Sequence, residues 1–224
     1  MNVRSNGHIT VALTALVLAG CDGSPLLDPA ADVVLHGVRV WDGTGAPTTE
    51  PSLVQLSQGR VLAITPQPDG VDVAAEATSS GATVVDLTGR FVIPGLINTH
   101  GHVGGTWTEG IDATYTDYMT SELERYARFG VTTVNSLGGD GAASVALRDG
   151  SWGDVAPTRA RLLVAGQVVV GETPEAATQM VDANQAMGVD WMKIRVDDNL
   201  GATLKMTPEI YAAVIDRTHS FNIP

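Results

Sequence analysis

The chain of 224 residues has a single cysteine, Cys21, and this absence of a second one excludes an internal disulfide framework. Basic residues are also few, since 13 Lys and Arg face 25 Asp and Glu. The resulting net charge of −12 argues against nucleic-acid binding, which requires basic surfaces. The sequence lacks runs of like charge and internal repeats. Its hydrophobic content of 44% is nevertheless enough for a sizeable core.

Lysine is scarce, since Lys193 and Lys205 are the only two. Lys193 lies inside the apolar segment 189–196, where a buried charge is costly unless it is neutralised or paired. Val189, Trp191 and Arg195 share its side of an extended chain, so Lys193 does not simply belong to the exposed face of an amphipathic strand. Two interpretations are open. Lys193 reaches an acid at the strand end, such as Asp197, or it has a chemical role.

No apolar run is long enough to cross a bilayer, which takes about 20 residues. Ile9–Leu18 form a shorter apolar stretch after the basic Arg4, which is typical of a secretory signal peptide over residues 1–20. Leu18-Ala19-Gly20-Cys21 resembles the lipobox of bacterial lipoproteins. The resemblance implies lipidation at Cys21 and a chain anchored to the bacterial cell envelope by its lipid alone, facing the periplasm or the outside. Asp22, directly after the cysteine, resembles an inner-membrane retention signal of such lipoproteins. The alternative is a signal peptide followed by an incidental cysteine.

After a tether over residues 21–31, residues 32–90 show short alternating apolar runs separated by turn-forming clusters. They predict a small β-domain with strands at 33–40, 52–56, 60–65 and 83–87. Residues 91–224 instead alternate strands and helices. A short buried strand is predicted at 91–97, and further strands at 131–136, 161–170 and 189–196. Helices are predicted before Gly130, from Thr173 to Met187 and from Thr207 to about Ser220. Successive βα units predict a parallel sheet.

Two histidines, His100 and His102, follow the apolar run 91–97. Alternate residues of an extended strand face the same side, so the two imidazoles are expected about 6–7 Å apart. This spacing suits chelation of one divalent ion, for which neutral imidazole is a common ligand. In isolation, however, such a pair more often marks ordinary polar residues on a strand.

Four motifs in this order resemble the amidohydrolase superfamily, especially its imidazolonepropionase-like and Xaa-dipeptidase-like members. They are VVLHGVRVWDGTG (33–45), VDLTGRFVIPGLINTHGH (85–102), GVTTVNSLGG (130–139) and VDWMKIRVDD (189–198). The resemblance covers nearly all of residues 32–224. Asn98 departs from it, because the family usually has Asp there, although that residue is not normally a metal ligand.

The resemblance implies an α/β fold: the first four βα units of a (β/α)8 TIM-type barrel, preceded by a small, incomplete β-sandwich. It implies that His100, His102 and Lys193 hold divalent metal, two zinc ions, with Lys193 carboxylated by CO₂ to a bridging carbamate. The implied reaction is hydrolysis of amide, cyclic-amide or dipeptide C–N bonds in small molecules. Polar residues near the strand ends are either substrate contacts or ordinary loop residues: Asn135, Asp140, Arg195, Asp197 and Asp198.

The family also uses two later histidines and an aspartate that serves as general base. The resemblance places these beyond Pro224, so no catalytic residue of this kind is expected in the chain. His219 is predicted to be a solvated helix residue, and His36 lies in a β-domain strand. The sequence thus predicts the N-terminal part of an amidohydrolase, truncated and inactive as it stands.

Two other interpretations stay open. One is a non-catalytic, membrane-anchored metal-binding or interaction protein that dimerises through the half-barrel. The other is an active hydrolase completed by a separately encoded C-terminal half.

Overall fold

The computed structural model describes residues 26–110, 113–150, 158–202 and 204–224. The predicted signal peptide and Cys21 lie outside the described residues. The chain divides into two compact units, Met1–Pro94 and Gly95–Pro224. In the part of the chain that is described, no helix is both long and apolar enough to cross a membrane.

Over its described residues, 26–94, the first unit contains one five-stranded sheet and a helix. Its elements are β1 (Val33–Val40), β2 (Ser52–Ser57), β3 (Arg60–Pro66), α1 (Val73–Ser80), β4 (Thr83–Asp86) and β5 (Phe91–Val92). The strand order is β3-β2-β1-β4, and β5 also pairs with β1. β1, β2 and β3 run antiparallel to one another, whereas β4 and β5 lie parallel to β1. All four strands predicted in residues 32–90 are confirmed within two residues at each end.

Helix α1 was not expected from the sequence. The Asp72 side chain caps its start by accepting the backbone N–H of Ala75 at 3.1 Å, and Gly81 ends it in the left-handed region at φ 80°. Its buried residues Val73 and Ala77 join a core cluster with strand residues such as Leu53. In the described residues 26–94, therefore, a helix packs with a single sheet, and the sequence expectation of a β-sandwich does not describe this arrangement.

The second unit alternates strands and helices around a parallel sheet. Its elements are β6 (Leu96–Gly101), α2 (Tyr115–Arg128), β7 (Val131–Ser136), α3 (Ala142–Asp149), β8 (Arg161–Val164), α4 (Pro174–Met187) and α5 (Pro208–Ser220). The strand order is β6-β7-β8, and both pairs are parallel. The predicted helices at 174–187 and 208–220 are confirmed, and α3 is an addition.

One core of the second unit lies where β7 and β8 pack against α2. Val134 on β7 and Leu162 on β8 are fully buried, and they join one cluster with Met119 and Leu123 of α2. Burying such side chains stabilises the fold by about 1.5–3 kcal/mol each. A second cluster joins α4 and α5 through Val181 and Val214.

The predicted strand at 91–97 is wrong in two respects. Pro94 and Gly95 break it, so that Phe91–Val92 pairs with β1 and a separate strand, β6, begins at Leu96. It is not a buried strand either, because Phe91 and Ile97 are each 62% exposed.

The predicted strands at 161–170 and 189–196 are shorter in the structure. β8 ends at Val164, and residues 189–196 are extended chain with one parallel bridge, between Val169 and Ile194. The Val169 N–H donates to the carbonyl of Lys193 at 2.7 Å, and the Arg195 N–H donates to the carbonyl of Val169 at 3.2 Å. The fourth strand predicted from the sequence is thus reduced to this contact among the described residues.

Candidate metal centre

The two histidines lie where β6 ends. Their ring centroids are 5.4 Å apart, and both side chains are exposed. His102 Nδ1 lies 3.3 Å from the carbonyl oxygen of Gly138, in the loop after β7. If this contact is a hydrogen bond donated by Nδ1–H, Nε2 is the nitrogen left for a metal.

Asn98 supports the backbone of this pair. Its Oδ1 accepts the backbone N–H of His100 at 3.1 Å, and its Nδ2 donates to the hydroxyl of Tyr126 on α2 at 3.1 Å. The amide therefore links the histidine-bearing strand to the helix that follows it. An aspartate, the residue usual in the resembling family, lacks the donor that reaches Tyr126.

His100, His102 and Lys193 line one cavity of about 340 Å³ in the second unit. The two histidines and the lysine lie in two segments that are more than ninety residues apart in the sequence. Apolar walls are contributed by Leu137 and Val168. The structure thus brings the predicted ligand residues to one place, while their role as ligands stays a prediction.

Lys193 is partly buried, and within the described residues its ammonium group has no ion pair or hydrogen bond. The alternative interpretation, a pair with Asp197, is not what the structure shows. One Asp197 oxygen, Oδ1, instead accepts the backbone N–H of Asn199 at 2.7 Å. The Lys193 amine is therefore available to the cavity.

A single arginine, Arg148, anchors the start of the segment that carries Lys193. Arg148 on α3 donates through one nitrogen to the carbonyl of Gly188 at 2.8 Å and to Asp190 Oδ2 at 2.9 Å. The same Asp190 oxygen accepts the backbone N–H of Val164 at 2.8 Å. Burial opposes the charged guanidinium, but hydrogen bonds to Asp190 and Asp149 raise the pKa of Arg148 above its usual value. Residues 188–190 are thereby fixed to the end of β8.

A buried carboxyl group braces the loop that holds His102. Asp140 is 1% exposed, and its Oδ2 accepts the backbone N–H of Ala165 at 3.0 Å. Burial raises the pKa of Asp140, and hydrogen bonds from Ser136 and from backbone N–H groups oppose that rise. Ser136 Oγ in turn accepts the backbone N–H of Val103 at 3.1 Å. Asp140 and Ser136 thus fix the backbone on both sides of the contact between His102 and Gly138.

The candidate substrate contacts divide into two groups. Arg195 and Asp197 line the cavity with the histidines, whereas Asn135, Asp140 and Asp198 do not. Asp198 instead lies 4.0 Å from Lys205. The sequence suggested no structural task for Asp140. Because Asp140 follows a strand end, the sequence predicted a candidate substrate contact there and gave no sign that the carboxyl group would be buried.

The other described histidines are accounted for elsewhere. His36 lies on β1, with its Nε2 3.9 Å from Asp86 Oδ1. His219 is exposed near the end of α5, which confirms the prediction that it is a solvated helix residue.

The donor set fits part of a metal site. Two imidazoles can chelate one ion, and a structural or catalytic zinc site needs at least one more protein ligand. Among the described residues, no three His, Cys, Asp or Glu side chains form a group that could hold a metal. Lys193 completes the set only after carboxylation, which replaces a cation with two anionic oxygens.

Structures of amidohydrolase-superfamily enzymes share this fold. A Xaa-Pro dipeptidase with methionine bound in its active site matches with a TM-score of 0.67 and 18% identity, over 85% of this chain and 55% of the dipeptidase. Molinate hydrolase matches with a TM-score of 0.69 and 17% identity, over 87% of this chain and 53% of that enzyme. Phenylurea hydrolase B matches with a TM-score of 0.66 and 19% identity, over 86% and 54%.

The chain spans about half the length of these solved structures. At identities below 20% the likeness concerns the fold. No protein-family model and no curated protein matches the chain.

Proposed function

We propose that this chain forms the N-terminal part of a metal-dependent hydrolase that cleaves C–N bonds in small amides, cyclic amides or dipeptides. Its second unit corresponds in this proposal to the first four βα units of a (β/α)8 barrel. The observation that carries the proposal is the convergence of His100, His102 and Lys193 on one cavity. The hydrolase names of the similar structures support the same reaction class.

His100 and His102 bind a divalent ion, zinc, through ring nitrogens in this proposal. His102 is oriented for this through Nδ1 by the Gly138 carbonyl, a kind of outer contact that tunes metal ligands. The bound ion would supply Lewis acidity toward the carbonyl of the scissile bond.

Lys193 would complete the ligand set as a carbamate, which would offer two anionic oxygens to the divalent ions. Carboxylation needs the neutral amine: its nitrogen forms a bond to the carbon of CO₂, and the proton displaced from nitrogen leaves to solvent. The absence of an acidic partner among the described residues favours this step, because a carboxylate neighbour would stabilise the ammonium form.

Zinc titration of the full chain against a chromogenic chelator tests the histidine pair. We expect the double variant His100→Ala/His102→Ala to bind zinc about 100-fold more weakly, because both chelating nitrogens are lost. The matched control is His36→Ala/His219→Ala, which removes two histidines outside the cavity and should leave the affinity unchanged. Equal loss in the two double variants would refute the proposed centre.

Native mass spectrometry in bicarbonate and zinc tests the lysine. The chain should gain the mass of one CO₂, and Lys193→Met should abolish this gain. Lys205→Met removes the other lysine and should retain it. A gain that persists in Lys193→Met rules out the carbamate at this position.

We also propose that the chain is anchored to the bacterial cell envelope through acylated Cys21. The support is the lipobox-like sequence at residues 18–21. Cys21→Ser should abolish incorporation of labelled fatty acid, and unchanged labelling would reject the anchor.

A further inference from the structure

Arg195 lines the same cavity as the two histidines and Lys193. Its side chain is partly buried, and no described residue forms an ion pair or hydrogen bond with its guanidinium group. The five N–H donors of an arginine match the two oxygens of a carboxylate in a fork geometry. This guanidinium is therefore free to bind a ligand.

The backbone orients Arg195 in the same direction as Lys193. Residues 193–195 are extended where Ile194 bridges Val169, with hydrogen bonds to Val169 on either side. Residues two apart on an extended chain face the same side, about 6–7 Å from each other. A group bound by Arg195 thus lies a few bonds from a group held beside Lys193.

The charge of the cavity favours an anion, although the chain as a whole is acidic. Lys193 and Arg195 contribute two cations against the single carboxylate of Asp197, and that carboxylate accepts the Asn199 N–H. Carboxylation of Lys193 reverses its own charge, but the divalent ions that the carbamate binds more than offset this. The cavity therefore favours an anion whether Lys193 is unmodified or carboxylated with its metal ions bound.

We propose that Arg195 binds a carboxylate next to the scissile bond of the substrate. This inference rests on the proposed hydrolase function and narrows its substrates to N-acyl amino acids and dipeptides with a free C-terminal carboxylate. Cyclic amides without a carboxylate lack the group that Arg195 binds.

The test compares two probes that differ only in their terminal group, the carboxylate of N-acetyl-L-alanine and the neutral amide of N-acetyl-L-alaninamide. Binding to the full chain is measured by saturation-transfer NMR, with and without zinc. We expect the carboxylate probe to bind about tenfold more tightly than the amide, since charge-assisted hydrogen bonds are about twice as strong as neutral ones. Arg195→Gln should remove this preference, and Arg195→Lys, which keeps the charge but not the fork, should retain part of it.

The matched control is Arg217→Gln, which removes a cation of the same unit from α5, where it pairs with Asp182 at 2.6 Å. It should keep the full preference for the carboxylate. Equal affinity of the wild-type chain for both probes overturns the inference, as does a preference that survives in Arg195→Gln. If Arg195→Gln fails to fold, as judged by circular dichroism, Arg195→Lys is the deciding variant. Full retention of the carboxylate preference in Arg195→Lys would refute two-point binding by the guanidinium group.

Failure of the inference is distinguishable from failure of the proposed function. If zinc binds through His100 and His102 but both probes bind equally, the carboxylate site is wrong and the hydrolase proposal stands. If the carboxylate preference depends on Arg195 while zinc does not bind, the anion site stands and the hydrolase proposal fails.

Discussion

The two units place their histidines in different surroundings. In the first unit His36 lies within β1, and the register pairs it with Asp86 on the neighbouring strand β4. In the second unit His100 and His102 lie at the end of β6 and face a cavity that they share with Lys193. The same side chain is thus paired inside one sheet and open to a ligand at the edge of the other.

Strand direction explains this difference. β6, β7 and β8 are parallel, so their carboxyl ends and the loops that follow them meet at one edge. β1, β2 and β3 are antiparallel, so successive strand ends lie at opposite edges. The parallel unit therefore collects polar side chains from distant sequence positions, and its loops need internal supports. These supports should therefore contribute more stability in the second unit than comparable contacts do in the first.

The largest expected effect is the loss of the buried carboxyl group. Asp140→Ala leaves the buried Ala165 N–H without its acceptor, and we expect a loss of about 2–4 kcal/mol in the free energy of unfolding. Asp86→Ala in the first unit, an exposed carboxylate, should leave the urea midpoint nearly unchanged. Equal shifts in the two variants would remove the contrast between the units.

A smaller loss of stability is expected when an arginine that is paired with a carboxylate is replaced. The Arg148 side chain is only 10% exposed, and Arg148→Met should cost about 1.5–3 kcal/mol because it removes charged hydrogen bonds to Gly188 and Asp190. Arg39→Met in the first unit breaks a pair with Glu50 whose side chains are 38% and 82% exposed, and should cost under about 1 kcal/mol. Both values come from urea unfolding, and a larger cost at Arg39 would contradict the comparison.

The pH dependence of Asp140 should be smaller still. Because burial raises its pKa in the folded state, the folded chain binds this proton more tightly than the unfolded chain. Stability from this group is therefore highest in acid and falls as the pH rises through the raised pKa. The stability of the wild type minus that of Asp140→Asn should decrease between pH 4 and pH 7. A difference that grows with pH would show that hydrogen bonding outweighs burial.

Helix caps should not distinguish the units, because a cap acts on its own helix. Asp72 caps α1 and Thr173 caps α4, so Asp72→Ala and Thr173→Ala should each cost about 1 kcal/mol. Thr207 makes no side-chain cap bond to α5, and Thr207→Ala should cost less than either. Thermal unfolding measures all three, and a large cost at Thr207 would show a role beyond the observed contacts.

Much of the fold follows from local signals. The Thr-Pro-Glu starts at Thr173 and Thr207 fix the beginnings of α4 and α5, and Gly188 at φ 84° ends α4. These signals act within one turn of chain, so the sequence displays them directly. Helices α1 and α3 are short, with eight residues each, and neither begins with the Thr-Pro-Glu signal.

The strand lengths were less predictable, because an apolar run does not specify its partners. Residues 189–196 look like a full strand, yet they form one bridge to Val169 in the described structure. Phe91 and Ile97 belong to one apolar run but to different strands. Pairing depends on which neighbour is available at each edge, and that is a property of the assembled sheet.

The sequence alone determined the chemistry that is present: two histidines in alternation, a rare lysine in an apolar segment, and the Thr-Pro-Glu starts of α4 and α5. Only the tertiary structure decided which of these side chains meet. It joined His100, His102, Lys193 and Arg195 on one cavity and buried Asp140 as a brace, because parallel strands bring their ends together regardless of separation along the chain.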